Sequence, residues 1–342
     1  MKAVRLTKVG KPLEMQEIPL PSLGEKDVLV EVKAAGICHS DVHYRAGNSP
    51  VGPLPQTLGH EIAGIVKKVG SRVKHLQVGS RVCLHYQLSC GDCSYCRRGM
   101  EQFCSTGMML GKYCDGGFAE YIAVPARNAL VLPEEIPFAQ GAIMMCSSAT
   151  SFHALQKARL KPSERVAVFG AGGLGMSAIQ LARALGAFEV YAVDINEEKL
   201  QLAGKYGAIP INSSRSDPVA QIYHRTDARG VDVAVELIGL PETMSQAVRS
   251  LATFGRAVLV GITDKPFPVN SYFELLGKEA EIIGCADHLF CELAPLIELV
   301  RRGRLDLSQV VTGMIPLEAG VVNKAMDAIE KFGSGIRTVI SL

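Results

Sequence analysis

The chain reads as α/β, a mostly β region followed by a doubly wound parallel sheet. Three observations predict this. Short strand-like runs broken by Gly and Pro fill residues 1 to about 131, strands and helices alternate from Arg165 onward, and an apolar strand runs straight into a glycine-rich turn at Gly170. At 342 residues the chain is too long for one ordinary core and suits two domains.

Met1 to Leu6, Asp27 to Val32 and Gly64 to Val69 read as strands, with turns at Pro12, Pro19, Pro21, Gly70 and Gly79. Around Glu134 to Gln156 the spacing becomes helical, as Ala and Met replace β-branched residues. Parallel strands are predicted at Arg165 to Phe169, Glu189 to Val193, Ile209 to Asn212, Val231 to Leu237, Arg256 to Gly261 and Glu281 to Gly284. No solenoid repeat or low-complexity tract is visible.

Composition excludes several classes. A net charge of +2 offers no basis for a nucleic-acid or membrane-surface partner. No apolar run reaches the roughly 18 to 20 residues that cross a bilayer, and the first residues read as a strand without a signal-peptide core. Ten cysteines without a secretory signal point to reduced thiolates kept for metal, which places the chain in the cytoplasm.

Two stretches carry metal-site chemistry. From Cys38 to Glu61 the chain offers a thiolate, the imidazoles of His39, His43 and His60, and the carboxylates of Asp41 and Glu61. Cysteine and histidine suit zinc, so this reads as half of a catalytic site, although a buried free cysteine among loop histidines is the plainer reading of that stretch alone. Cys90, Cys93, Cys96 and Cys104 fall within fifteen residues separated by turn formers. Four thiolates close a tetrahedron, as in a structural zinc site. The bacterial ferredoxin run also opens Cys-x-x-Cys-x-x-Cys, but it places its fourth cysteine after three residues and before Pro, whereas here the gap is seven and Ser105 follows. Cys83, Cys114, Cys285 and Cys291 read as packing residues.

The turn Gly170-Ala171-Gly172-Gly173-Leu174-Gly175 links a strand to a helix with apolar residues at Met176, Ile179 and Leu185. Glycines there let the backbone approach a pyrophosphate at the helix N-terminus. The next strand ends on Asp194, nineteen positions past Gly175, where a carboxylate accepts from the ribose hydroxyls and repels a 2′-phosphate, so NAD is favoured over NADP.

Taken together, Gly-Ile-Cys38-His-Ser-Asp-Val-His, Gly-His60-Glu, the four-cysteine lobe and the glycine turn with Asp194 resemble a zinc-dependent medium-chain alcohol dehydrogenase over essentially the whole chain. The resemblance implies a Rossmann sheet (residues 149–286) inserted in a GroES-like catalytic domain (residues 1–148 and 287–342), with the active site in the cleft where they meet. It implies two Zn2+ per chain, one held by Cys38, His60 and Cys146, with Glu61 as an alternative ligand, and one by the cysteine lobe.

Further roles follow from the same matching. Asp41 would orient His60, while Ser40 and His43 would carry the substrate's proton to solvent. NAD contacts would come from His39, Thr150, Gly170, Gly172, Gly173, Leu174, Gly175, Asp194, Lys199, Ile238, Gly261, Ile262 and Arg337, the last beside the pyrophosphate. The implied activity is reversible oxidation of a primary or secondary alcohol to an aldehyde or ketone with hydride transfer to NAD. A polyol or sugar dehydrogenase, or a non-catalytic NAD(H)-binding relative, is the alternative, and Cys146 argues against the former because those relatives usually place a glutamate there. Tyr86, Met108, Met109 and Tyr113 are candidates for an apolar substrate pocket, with core packing as the commoner role. A homotetramer, or a dimer, is implied, with Ala257 to Val260 near the contact region.

Overall fold

The computed structural model describes every residue except Phe332 and Ser334. The chain forms two compact units, Met1–Cys146 with Leu289–Arg301 and Leu307–Leu342, and Ser147–His288 with Arg302–Asp306. The boundaries differ slightly from those read in the sequence. Segment 302–306 joins the second unit because the Gln180 side chain clamps Asp306, donating to its carbonyl at 2.9 Å and accepting its N–H at 2.8 Å.

The first unit is built on a seven-stranded sheet. Strands run in the order Ala129–Val131, Arg81–Leu84, Glu61–Val69, Asp27–Ile37, Arg337–Ser341 and Val311–Pro316, and Tyr121–Pro125 also pairs with Asp27–Ile37. All these pairings are antiparallel except Arg337–Ser341 with Val311–Pro316. Val28, Val30 and Val32, on one face of the central strand, are fully buried in the unit's core. The register matters for function: Gly36 lies opposite Glu61, and Thr338 opposite Ile37.

The second unit is a six-stranded parallel sheet ordered Ile209–Asn212, Glu189–Asp194, Arg165–Phe169, Val231–Glu236, Leu251–Leu259 and Glu281–Gly284. Buried on both faces, its central strands read as largely apolar runs. The order reverses beside Arg165–Phe169, the switch point at which such sheets bind dinucleotides.

Three expectations need correcting. The stretch Ala257 to Val260 lies on an interior strand, with Ala257 and Val258 fully buried, and the sheet's two edges are Ile209–Asn212 and Glu281–Gly284. Cys291 is exposed and so does not pack in a core, whereas Cys83 is buried, its pKa pushed up to about 12 by burial, and the half-buried Cys114 packs against the first unit's core. The helical stretch is not uniform: Phe138–Ile143 and Ala149–Lys157 are α-helical, but Met144–Ser148 between them is a π-helical turn. No helix among the described residues is long and apolar enough to cross a membrane.

Candidate active site and metal centres

Cys38 sits where the central strand ends and helix His39–Ala46 begins, as its N-cap. Asp41, three residues on and fully buried, accepts the Cys38 N–H at 2.9 Å through Oδ2 and the Gly59 N–H at 3.2 Å through Oδ1. One carboxylate thus ties together the two segments that present Cys38 and His60. His60 turns Nδ1 toward Asp41 Oδ1 at 3.4 Å, near it but without a hydrogen bond. Tyr86, almost fully buried, packs edge-on against the imidazole with centroids 5.0 Å apart.

Cys146 arrives from the π-helical turn. The extra residue per turn shifts a side chain off the helix's regular faces, a distortion common at functional sites. Ligand atoms of Cys38, His60, Glu61 and Cys146 all lie within 4.8 Å of one another, and all four residues are buried. Glu61 fits only because its strand partner is Gly36: a Cβ there would stand 2.0 Å from Glu61 Oε2.

The electrostatics suit a cation. Hydrogen bonding to Cys146 holds Cys38 well below the usual thiol value, against burial, while the same bond and burial raise Cys146 well above it. His60 would be pushed down by burial but is raised by the charges of Asp41 and Cys38. Burial lifts the Glu61 carboxyl to about 7 despite Arg337. Both Glu61 oxygens are buried without a hydrogen-bond partner. Two sulfurs, an imidazole and a carboxylate without a hydrogen bond, converging in a buried site, are the donor set of zinc, and these residues fit that ion.

Arg337 is buried here as well. Its Nη1 lies 3.3 Å from Glu61 Oε1 and donates to the Ile37 carbonyl at 3.3 Å. Burial disfavours its charge, but Glu61, Cys38 and Cys146 outweigh that and raise its pKa. Arg337 is therefore the counter-ion of the metal-ligand cluster, a partnership invisible in the sequence.

Ser40 and His43 lie three residues apart on helix His39–Ala46, hence on one face, and both are half-buried. Ser40 Oγ stands 3.8 Å from Cys38 Sγ. His39 stacks on His43 with centroids 4.8 Å apart, and burial together with that neighbour lowers its pKa.

The cysteine lobe is a separate, exposed construction. Sγ of Cys90 lies 3.6 Å from that of Cys104 and 3.9 Å from that of Cys96. A tetrahedron with Zn–S bonds of about 2.3 Å has S···S edges of about 3.8 Å, so these sulfurs fit zinc as they stand. Backbone N–H groups of Asp92, Cys93 and Cys90 point at sulfur, and those of Cys96 and Ser105 lower the Cys93 thiol to about 6.

Of the pocket candidates, Tyr86 packs on His60 and the half-buried Met109 accepts a 3.8 Å contact from the Tyr44 hydroxyl, whereas Met108 and Tyr113 are exposed.

In the second unit, Gly170 takes φ +99° at the end of its strand, and a Cβ on Gly175 would lie 1.8 Å from the Gly170 carbonyl oxygen, so both positions require glycine. Helix Gly173–Ala184 starts on Gly172. Asp194 accepts from the Ala171 N–H at 2.7 Å and the Asn196 N–H at 2.9 Å, placing its carboxylate beside the turn. Asn196 caps the next helix by accepting the Lys199 N–H. Thr150 is buried between Ser148, 2.9 Å from Ser177, and Ser151, which donates to the Leu174 carbonyl at 2.7 Å. Ile238 and Gly261 are half-buried and Ile262 is exposed, all at the C-terminal ends of adjacent strands.

The family model described as "Alcohol dehydrogenase GroES-like domain" matches residues 24–134, and "Zinc-binding dehydrogenase" matches residues 173–301. The NAD-dependent alcohol dehydrogenase of Sulfurisphaera tokodaii is 35% identical over 350 residues, covering 99% of each chain. The L-idonate 5-dehydrogenase of Vitis vinifera is 32% identical, with 97% of this chain and 92% of that one covered. Among solved structures, the alcohol dehydrogenase of Thermus sp. ATN1 superposes with a TM-score of 0.90 at 31% identity, covering 100% of this chain and 99% of that one.

Proposed function

The chain belongs to the zinc-dependent medium-chain alcohol dehydrogenase family, and from that premise we propose that it oxidises a primary or secondary alcohol to an aldehyde or ketone, reversibly, with hydride transfer to NAD. The observation that carries this reading is the convergence of Cys38, His60, Glu61 and Cys146 within 4.8 Å in a buried site. Cys38, His60 and Cys146 would hold zinc there and leave a fourth position open to water or the alcohol, with Glu61, held back by Arg337 at 3.3 Å, as the alternative ligand.

A zinc ion held by these residues would supply Lewis acidity, which for bound water is worth about nine pKa units, or about 12 kcal/mol. A neutral hydrogen bond, at about 1 kcal/mol net, cannot replace it. The chain's own residues do the rest. Asp41 fixes the orientation and basicity of His60. Ser40 would accept the substrate hydroxyl's proton while giving up its own to a cofactor ribose hydroxyl, which in turn would pass one to His43 and solvent. Asp194 accepts from the adenosine ribose, the glycine turn admits the pyrophosphate, and Thr150, Ile238, Gly261 and Ile262 face the nicotinamide half, with His39 and Lys199 as polar contacts along the cofactor. Cys90, Cys93, Cys96 and Cys104 would hold a second, structural zinc. A cytoplasmic homotetramer or homodimer completes the proposal.

The test is an NADH-absorbance screen of purified protein over primary, secondary, benzylic and polyol substrates. The expected result is NAD-linked turnover of simple alcohols that zinc chelation abolishes; turnover confined to polyols or sugar acids, like the idonate relative's named substrate, would move the assignment, and none at all would remove it.

A further inference from the structure

Glu236 ends the strand Val231–Glu236 with its side chain fully buried, and nothing in the proposed chemistry uses it. Its Oε1 accepts three hydrogen bonds: the N–H groups of Ile238 and Gly239, each at 2.9 Å, and the Thr243 hydroxyl at 2.8 Å. Its backbone carbonyl accepts the N–H groups of Val260 at 2.9 Å and Gly261 at 3.1 Å. Two loops leaving neighbouring strands, Ile238–Gly239 and Gly261–Ile262, therefore hang on this one residue.

Those loops also touch each other. A Cβ on Gly239 (φ +89°) would lie 2.6 Å from the Ile262 carbonyl oxygen, and one on Gly261 would lie 2.1 Å from Gly239 N. Ile238 in turn reaches the phosphate turn, since a Cβ on Gly170 would meet its Cγ1 at 2.8 Å. The carboxylate is an expensive way to fill this space. Burial pushes its pKa up in spite of the hydrogen bonds, and Oε2 is buried with no hydrogen-bond partner. An apolar side chain would fill the volume without that cost, so what the carboxylate contributes is the placement of the loops.

We infer that Glu236 is a positioning residue for the nicotinamide half of the dinucleotide, bracing the Ile238–Gly239 and Gly261–Ile262 loops against the Gly170 turn. The inference rests on the proposed NAD reading. The halves separate by topology: Asp194 lies on the side of the sheet that takes adenosine, while the braced loops leave strands across the switch point.

The experiment compares NADH with AMP, which occupies the adenosine half alone, by direct binding to the wild type, Glu236→Leu, Glu236→Gln and Thr243→Val. The expected result is NADH affinity on the order of tenfold weaker in Glu236→Leu, a few-fold weaker in Thr243→Val, near wild type in Glu236→Gln, which keeps Oε1, and AMP affinity unchanged throughout. Thr243→Val carries the comparison if Glu236→Leu does not fold. Unchanged NADH binding, or equal loss of NADH and AMP, in the variants that fold overturns the inference; a wild type that binds neither ligand overturns the NAD reading instead.

Discussion

The two metal-ligand clusters share a geometry and differ in everything that supports it. Each gathers four ligand atoms within 4.8 Å, one buried throughout, the other exposed or half-buried. The lobe's four sulfurs come from fifteen consecutive residues, held by local backbone N–H groups and the Arg97–Asp92 pair at 2.8 Å. Around it Tyr95, Met100 and Phe103 are exposed, so the lobe has little core of its own. The buried cluster is the reverse: its ligands come from a helix cap, a strand start and a π-helical turn, and Asp41 and Arg337 hold them in place. A closed ring of four like donors is suited to stabilising a loop, whereas mixed donors with one held back by a counter-ion are suited to chemistry.

The comparison can be broken most sharply at Cys38. Cys38→Ser should lower turnover by at least about a thousandfold while NADH affinity stays within a few-fold, as read by steady-state kinetics and NADH fluorescence. A smaller effect is expected one step out: Asp41→Asn should weaken metal retention about 10- to 100-fold in a chelator competition, with the lobe's metal unaffected. The smallest effect on chemistry belongs to the lobe. Cys104→Ser should lower the melting temperature by a few degrees, while kcat at 25 °C stays within about twofold. A loss of turnover matching that of Cys38→Ser would erase the distinction between the two clusters.

What the sequence disclosed follows the same divide. The central parallel strands and the glycine turn were legible because strands buried on both faces are largely apolar runs and Gly170 and Gly175 occupy positions only glycine tolerates. The four-cysteine spacing was legible because it is local. Less was legible where partners are distant. Arg337 meets Glu61 through the register of two strands from opposite ends of the chain, and no spacing rule connects them. The π-helical turn under Cys146 is silent in a 3.6-residue pattern. Exposure of Cys291 and the interior position of Ala257 and Val258 depend on packing that composition does not encode.

Zinc counted by elemental analysis in the wild type, Cys38→Ser and Cys104→Ser tests the division of labour most directly. Two equivalents per chain in the wild type and one in each variant is the expected result, with only Cys104→Ser still turning over alcohol. One equivalent in the wild type, or two remaining in Cys38→Ser, would contradict a catalytic ion held by Cys38, His60 and Cys146.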